Sequence, residues 1–254
     1  MRVTLNGYIV PDDDAWIYEF FGYNVVSPAK VRQAIADTPE GEALTLEFNS
    51  SGGSVFAGFE IFSVLKAATV ETVAEVQSLA ASAASTAMVG CKKVLLSPVA
   101  QVMIHLPSIR TAGNRNDHFD SIDLLDAIAG SIIAGYETRC KGKRSRTELE
   151  AMMAATTWLT AQQAVDAGLA DGILYQDEPD VDPNQVYNAI GAGIRAATNS
   201  GSGLPDIAQL RAAYQQMQPQ PQPSAADEPA GTEPVEDSDE WQAQARLSIE
   251  KLRF

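Results

Sequence analysis

Two histidines, His105 and His118, are the only imidazoles in the 254-residue chain, so a side chain that exchanges protons near neutral pH has few places to sit. His105 follows the apolar run Val102-Met103-Ile104 and precedes Leu106-Pro107, where a strand end meets a loop. His118 lies among Asp117, Asp120 and Asp123 near a helix start, a surface setting. An imidazole can take the proton of a serine hydroxyl, provided that backbone N–H groups are aimed at the oxyanion that then develops. Ser82, in Ala80-Ala81-Ser82-Ala83-Ala84-Ser85, opens a helix, where unpaired N–H groups and the helix dipole favour negative charge. Its alanine neighbours let a substrate backbone come close. Gly52-Gly53, after an apolar strand and before a helix, is a second place where the chain turns and exposes amides to an anion. Each feature alone has a plainer reading: a structural histidine, a tightly packed Ala/Ser helix, an ordinary tight turn.

The elements around these residues alternate between strand and helix. Val3, Leu5, Tyr8, Ile9 and Val10 form a β-prone run that stops at Pro11-Asp12-Asp13-Asp14. Ser27-Pro28 opens a helix, with a capping residue followed by proline at the first helical position, and Val31, Ala34 and Ile35 form its apolar face. Leu44 to Phe48 alternates as a strand into the glycine turn 49–53, and a helix follows over 56–66. A strand is expected over 70–76, a small-residue helix over 80–89, and two short strands at 94–96 and 102–104 bracket Ser97-Pro98 as a hairpin. A long helix is expected over 117–141 and a last one over 161–167, ending near Gly168. This alternation reads as a layered α/β domain.

Charge divides the chain. Residues 175–254 hold 13 acidic and five basic side chains, against 20 and 13 in residues 1–174, and the whole carries a net charge of −15. The acidic, Pro-rich stretch 218–240 offers little apolar surface to offset ordering entropy and reads as a disordered linker. In 241–254, Trp241, Ala245, Ile249 and Leu252 recur at helical spacing, either as a helix that packs on a partner or as a tail without a role. The expected division is a domain at 1–176, a partly helical extension at 177–217, the linker, and the short helix. Strong negative charge excludes a dedicated nucleic-acid binder. Cys91 and Cys140 are too few for a disulfide scaffold or a four-cysteine zinc site, and no metal or cofactor is expected. No apolar run is long enough to span a bilayer, and the first residues lack the apolar stretch of a secretory signal, so a cytoplasmic protein is expected.

The order of the pieces carries a resemblance. Asn49-Ser50-Ser51-Gly52-Gly53-Ser54, Leu79-Ala80-Ala81-Ser82-Ala83, Met103-Ile104-His105-Leu106-Pro107, and Trp158-Leu159-Thr160-Ala161 through Ala167-Gly168-Leu169-Ala170-Asp171 resemble the ClpP family of serine peptidases over roughly 1–176. The 23-residue separation of Ser82 and His105 and the acidic extension are most similar to the phage and prophage branch that works in head maturation. The resemblance implies a ClpP/crotonase-type fold of stacked ββα units, a homo-oligomeric ring, and helix 117–141 as the handle through which rings meet. It implies Ser82 as nucleophile, His105 as general base, the amides of Gly53 and Ala83 as oxyanion hole, and Gly52 as the residue shaping that turn. It implies an extended peptide or protein substrate, capsid or scaffold among the candidates. With no Gly-x-x-x-x-Gly-Lys-Ser/Thr loop in the chain, an ATPase would be a separate protein.

Two positions depart from the family pattern. Ser51 stands where proline is usual, and Thr156 stands where the family places the acidic third member of the triad, two residues before Trp158. A threonine does not stabilise an imidazolium as a carboxylate does. The alternatives are a catalytically weak or inactive assembly protein of the same fold and, less directly, a crotonase-type acyl-CoA enzyme whose oxyanion hole is also made of backbone amides.

Overall fold

The computed structural model describes residues 1–175 and 204–217. Three long strands form its centre: β1 (Arg2–Ile9), β3 (Ala43–Gly53) and β4 (Glu71–Ala81). Alternation decides their faces. Leu44, Leu46 and Phe48 of β3 and Thr72, Ala74 and Val76 of β4 are buried, while Glu47 and Glu75 point outward, where Arg2 bridges them at 2.5 and 2.7 Å. The helices α2 (Pro28–Ala36) and α3 (Val55–Ala67) connect and cover these strands, α3 burying Ala57, Ile61 and Leu65 at helical spacing. The short β2 (Val25–Val26) extends the sheet beyond β1.

Beyond β4 come α4 (Ala83–Met88), β5 (Lys93–Leu96), β6 (Gln101–Ile104), α5 (Arg115–Cys140), α6 (Arg146–Ala154), β7 (Thr157–Thr160), α7 (Ala161–Ala167) and β8 (Gly172–Ile173). The sheet runs β2-β1-β3-β4-β5-β8, with β6 joined to β4 and β7 joined to β6. All its pairings among the described residues are parallel except β6 with β7. This is a mixed α/β architecture on a largely parallel sheet, in line with the α/β expectation.

Several local expectations are corrected. Residues 49–53 are not a turn: β3 continues through Gly53, pairing Gly52 with Tyr8 and Gly53 with Ile9 after a register shift between Asn6 and Tyr8. The expected helix at 80–89 spans only Ala83–Met88, because Ala80 and Ala81 finish β4. β5 and β6 are not a hairpin. Both lie parallel to β4, β5 along Val73–Val76 and β6 along Leu79–Ala81, so one strand carries two partners end to end. Ser27 holds the N-cap position of α2 without a side-chain cap bond. That end is held instead by Asp12, whose carboxylate accepts from Ala29 N–H at 2.7 Å.

Five elements were not legible: α1 (Asp12–Phe20), β2, α6, β7 and β8. The three consecutive aspartates that read as a stop are the first turn of α1, where acidic side chains favour the positive end of the dipole. Within the extension, α8 (Ile207–Met217) packs on α1. Leu210 is buried there with Ile17 and Phe21, Tyr214 meets Trp16 and Phe20 edge to face, and Arg211 pairs with Asp14. The linker expected at 218–240 and the helix expected at 241–254 lie outside the described residues.

Near the end of the domain, Asp171 accepts from Val94 N–H at 2.7 Å and pairs with the buried Arg139 of α5, tying the last motif to β5. Among the described residues no helix is long and apolar enough to cross a membrane.

Candidate active site

Ser82 sits at the corner between β4 and α4. Its φ of 55° and ψ of −127° are those that a type II′ turn gives its first central residue, normally glycine. β6 lies beside this corner, and Ser82 N–H donates to Met103 O at 2.9 Å. Two residues further along, His105 leaves the strand and its Nε2 stands 2.7 Å from Ser82 Oγ. Both side chains are half-buried. Burial holds His105 below the ordinary imidazole range, because desolvation disfavours the charged ring.

The glycine pair meets the same corner from β3. A Cβ on Gly52 would lie 2.8 Å from Ala81 O, 2.8 Å from Ser82 Cβ and 3.0 Å from Ala83 N, so only glycine admits this approach. A Cβ on Gly53 would lie 2.1 Å from Ile9 O. The φ values of +99° and +145° are a second reason for glycine at both positions. Gly52 N–H is taken up by the buried Ser50 Oγ at 3.1 Å, and Ser82 N–H by Met103. Ala83, as the first residue of α4, has no carbonyl one turn behind it to accept its N–H. Gly58 of α3 lies against Ala83, where a Cβ would come 3.1 Å from Ala83 Cβ. Ser51, in the place of the usual proline, is followed by a glycine pair that β1 and the Ser82 corner hold on both sides.

The far side of His105 is different. β6 and β7 pair antiparallel, Met103 with Trp158 and Ile104 with Thr157, which sets residue 156 opposite His105 one step beyond the last pair. Leu106 N–H donates to Met153 O at 3.2 Å and closes that end. The position is occupied by Thr156, exposed and at φ +51°. Among the described residues no carboxylate acts on His105, and its one hydrogen bond is that to Ser82. The site thus brings together Ser82, His105, Gly52, Gly53 and Ala83, with position 156 one register step beyond the last β6–β7 pair, and among the described residues it holds no acid.

His118 is remote in role as well as exposed: its Nδ1 faces Thr111 Oγ1 at 3.4 Å on the surface of α5. A cavity of about 300 Å3 opens beside the pair, walled by Val55, Phe56, Ile109, Leu124 and Ile128 together with Ser82 and His105. Its floor holds Tyr136, which sequence reasoning did not single out. A lone tyrosine in a long helix gives no sign that it faces a serine 51 residues away. Among the described residues no group of three His, Cys, Asp or Glu side chains is arranged to hold a metal ion.

The sequence pattern of the Clp protease family matches residues 34–177, from α2 through β8. The chain belongs to the Clp protease family. It is similar to the ATP-dependent Clp protease proteolytic subunit 1 of Chlamydia abortus, 33% identical over an aligned length of 148 residues, with 54% of this chain and 73% of that protein covered. The same subunit of Chlamydia muridarum is 31% identical over 143 residues, 54% and 73% of the two chains. The ATP-dependent Clp protease proteolytic subunit of Bacteroides fragilis is 30% identical over 142 residues, 53% and 65% of the two chains. Within the Clp protease family match lie the Gly pair, Ser82, His105 and Thr156, while α1 and α8 lie outside it.

Proposed function

We propose that this chain is a ClpP-type serine endopeptidase, with Ser82 as nucleophile and His105 as the base. The observation that carries this reading is the 2.7 Å contact of Ser82 Oγ with His105 Nε2 at a corner whose backbone strain aims the hydroxyl. Ser82 Oγ attacks the peptide carbonyl while His105 Nε2 takes its proton. The amides of Gly53 and Ala83 receive the oxyanion. Collapse of the tetrahedral species expels the amine, which takes the proton back from Nε2, and water then hydrolyses the acyl-enzyme by the same route. The apolar cavity beside the pair suits an apolar side chain next to the scissile bond.

The finer reading is a protease of the phage and prophage head-maturation branch, acting in the cytoplasm on a capsid or scaffold precursor. It rests on the 23-residue separation of Ser82 and His105 and on the acidic extension. A homo-oligomeric ring of stacked ββα units, a separate ATPase partner, and a division into a 1–176 peptidase domain followed by an extension belong to the same reading.

Fluorophosphonate labelling of the full chain tests the core of it. The probe is expected on Ser82 in the wild type and absent in Ser82→Ala; a folded wild type that stays unlabelled would overturn the assignment. A second reading, a weakly active or inactive assembly protein of the same fold, is favoured by the lack, among the described residues, of any acid at His105. Cleavage of a capsid precursor by the wild type but not by Ser82→Ala would exclude it.

A further inference from the structure

Ser82 does not adopt its φ of 55° unaided: for a residue with a side chain this conformation is strained and persists only where the surroundings over-determine it. Its N–H is fixed by Met103 O. Its carbonyl is fixed by Ser85, whose N–H donates to Ser82 O at 3.0 Å and whose Oγ lies 2.6 Å from the same oxygen. Ser85 Oγ is also 3.0 Å from Met103 O and 2.8 Å from Tyr136 Oη. A serine hydroxyl has one proton, and carbonyls only accept. The proton of Ser85 therefore goes to the carbonyl pair, and Tyr136 donates to Ser85. Thr86 Oγ1, 3.3 Å from Tyr136 Oη, then donates to Tyr136. Ser85, Thr86 and Tyr136 are all buried. Alanine at 85 would be the better helix former and would bury no hydroxyl, and Ala83, Ala84 and Ala87 already fill most of α4.

We propose that Ser85, oriented by Tyr136 of α5, is a positioning residue for the Ser82–His105 pair. One oxygen holds the carbonyl of the nucleophile and the carbonyl of Met103, two residues ahead of His105, so a single hydroxyl sets the distance between the two reacting side chains. The handle helix reaches the corner only through Tyr136 Oη in this network. The role rests on Ser82 being the nucleophile.

The test uses the full-length chain and a fluorophosphonate probe, comparing maximal labelling rate and half-saturating probe concentration. Ser85→Ala and Tyr136→Phe are expected to lower the maximal rate by roughly tenfold to a hundredfold, as small misplacement of reacting groups does, with half-saturation unchanged. The double variant is expected to be no slower than Ser85→Ala, because both act through one contact. Val89→Ala, which removes buried methyls just beyond α4 and leaves its own N–H on Ser85 O and the three hydroxyls in place, is expected to label at the wild-type rate at a comparable loss of Tm. Wild type that is not labelled at Ser82 overturns the nucleophile assignment and this role with it. Wild type labelled at Ser82, with both variants within twofold of it or slowed only as Val89→Ala is, overturns the positioning role alone.

Discussion

Ser82 Oγ stands 2.7 Å from His105 Nε2, and Ser82 N–H donates at 2.9 Å to Met103 O, two residues before His105, so each side chain sits one residue beyond the end of one of two paired strands, β4 and β6. The ring of His105 is half-buried, and among the described residues no carboxylate offsets the desolvation that holds its pKa below the ordinary value of about 6.5. The neutral, base-competent ring therefore survives to lower pH than a free histidine. The acid limb of kcat/KM, or of the labelling rate, is expected to have its midpoint below about 6.5. The same shift has a stability consequence. The unfolded ring takes up a proton near pH 6.5 and the folded ring only at lower pH, so stability present above 6.5 falls as pH drops between the two values. A pH series of melting curves for wild type and His105→Gln checks this, and an acid limb above pH 6.5 would contradict it.

Thr156 stands opposite His105 at φ +51°, a conformation that is an outlier for a β-branched residue and easier for Asp or Asn. Thr156→Asp is expected to raise the maximal rate by at least about tenfold, within the roughly 10⁴ that separates a triad carboxylate from its amide. It should also move the acid limb upward, because a carboxylate favours the imidazolium. Thr156→Asn relieves the same backbone strain without the charge. It should gain about 1 kcal/mol in stability and no rate. Equal rates for the two variants would show that the third position does not reach His105.

Gly53→Ala sets a methyl 2.1 Å from Ile9 O, and Gly52→Ala sets one 2.8 Å from Ser82 Cβ. Both are expected to abolish labelling. Gly53→Ala should also separate the ends of β1 and β3 and lower the Tm, since backbone cannot yield as a flexible side chain does. Retention of wild-type labelling in Gly52→Ala would mean that the glycine pair does not shape the corner.

Leu210 is the buried anchor of α8 on α1, while Arg211 and Asp14 form a more exposed pair. Leu210→Ala is expected to weaken the docking of α8 by about 2–3 kcal/mol, and Arg211→Ala by less than about 1 kcal/mol. Because α8 has its own apolar cluster with α1, the loss should be local. Hydrogen exchange should speed up in α8 and α1 of Leu210→Ala, with the central strands unchanged.

What the sequence disclosed was local chemistry. The alternation of Leu44, Leu46 and Phe48, the spacing of Ala57, Ile61 and Leu65, and the proline opening α2 each state their element within a few residues. The order Gly52-Gly53, Ser82, His105 also points to the corner where these residues meet. What escaped was set by tertiary contact. Ala80 and Ala81 are strand because Met103 and Val102 lie beside them, although an alanine run by itself favours helix. α6 and β7 gave no periodic signal because they are short and half-exposed, yet β7 is what sets position 156 beside His105. The role of Tyr136 depends on a contact across 51 residues of chain, which no local pattern records.

The end-to-end sharing of β4 between β5 and β6 makes the short connection Ser97–Ala100 a spacer of fixed length. Each residue added or removed there would slide β6 along β4 by about 3.3 Å, more than the whole gap between Ser82 and His105, and would turn the other face of the strand to Ser82. Val99, on the surface of that connection, is free to change in identity. Natural or engineered relatives that keep a working pair should therefore accept substitutions in this segment while rejecting insertions and deletions, which a small library of length variants scored by labelling would show.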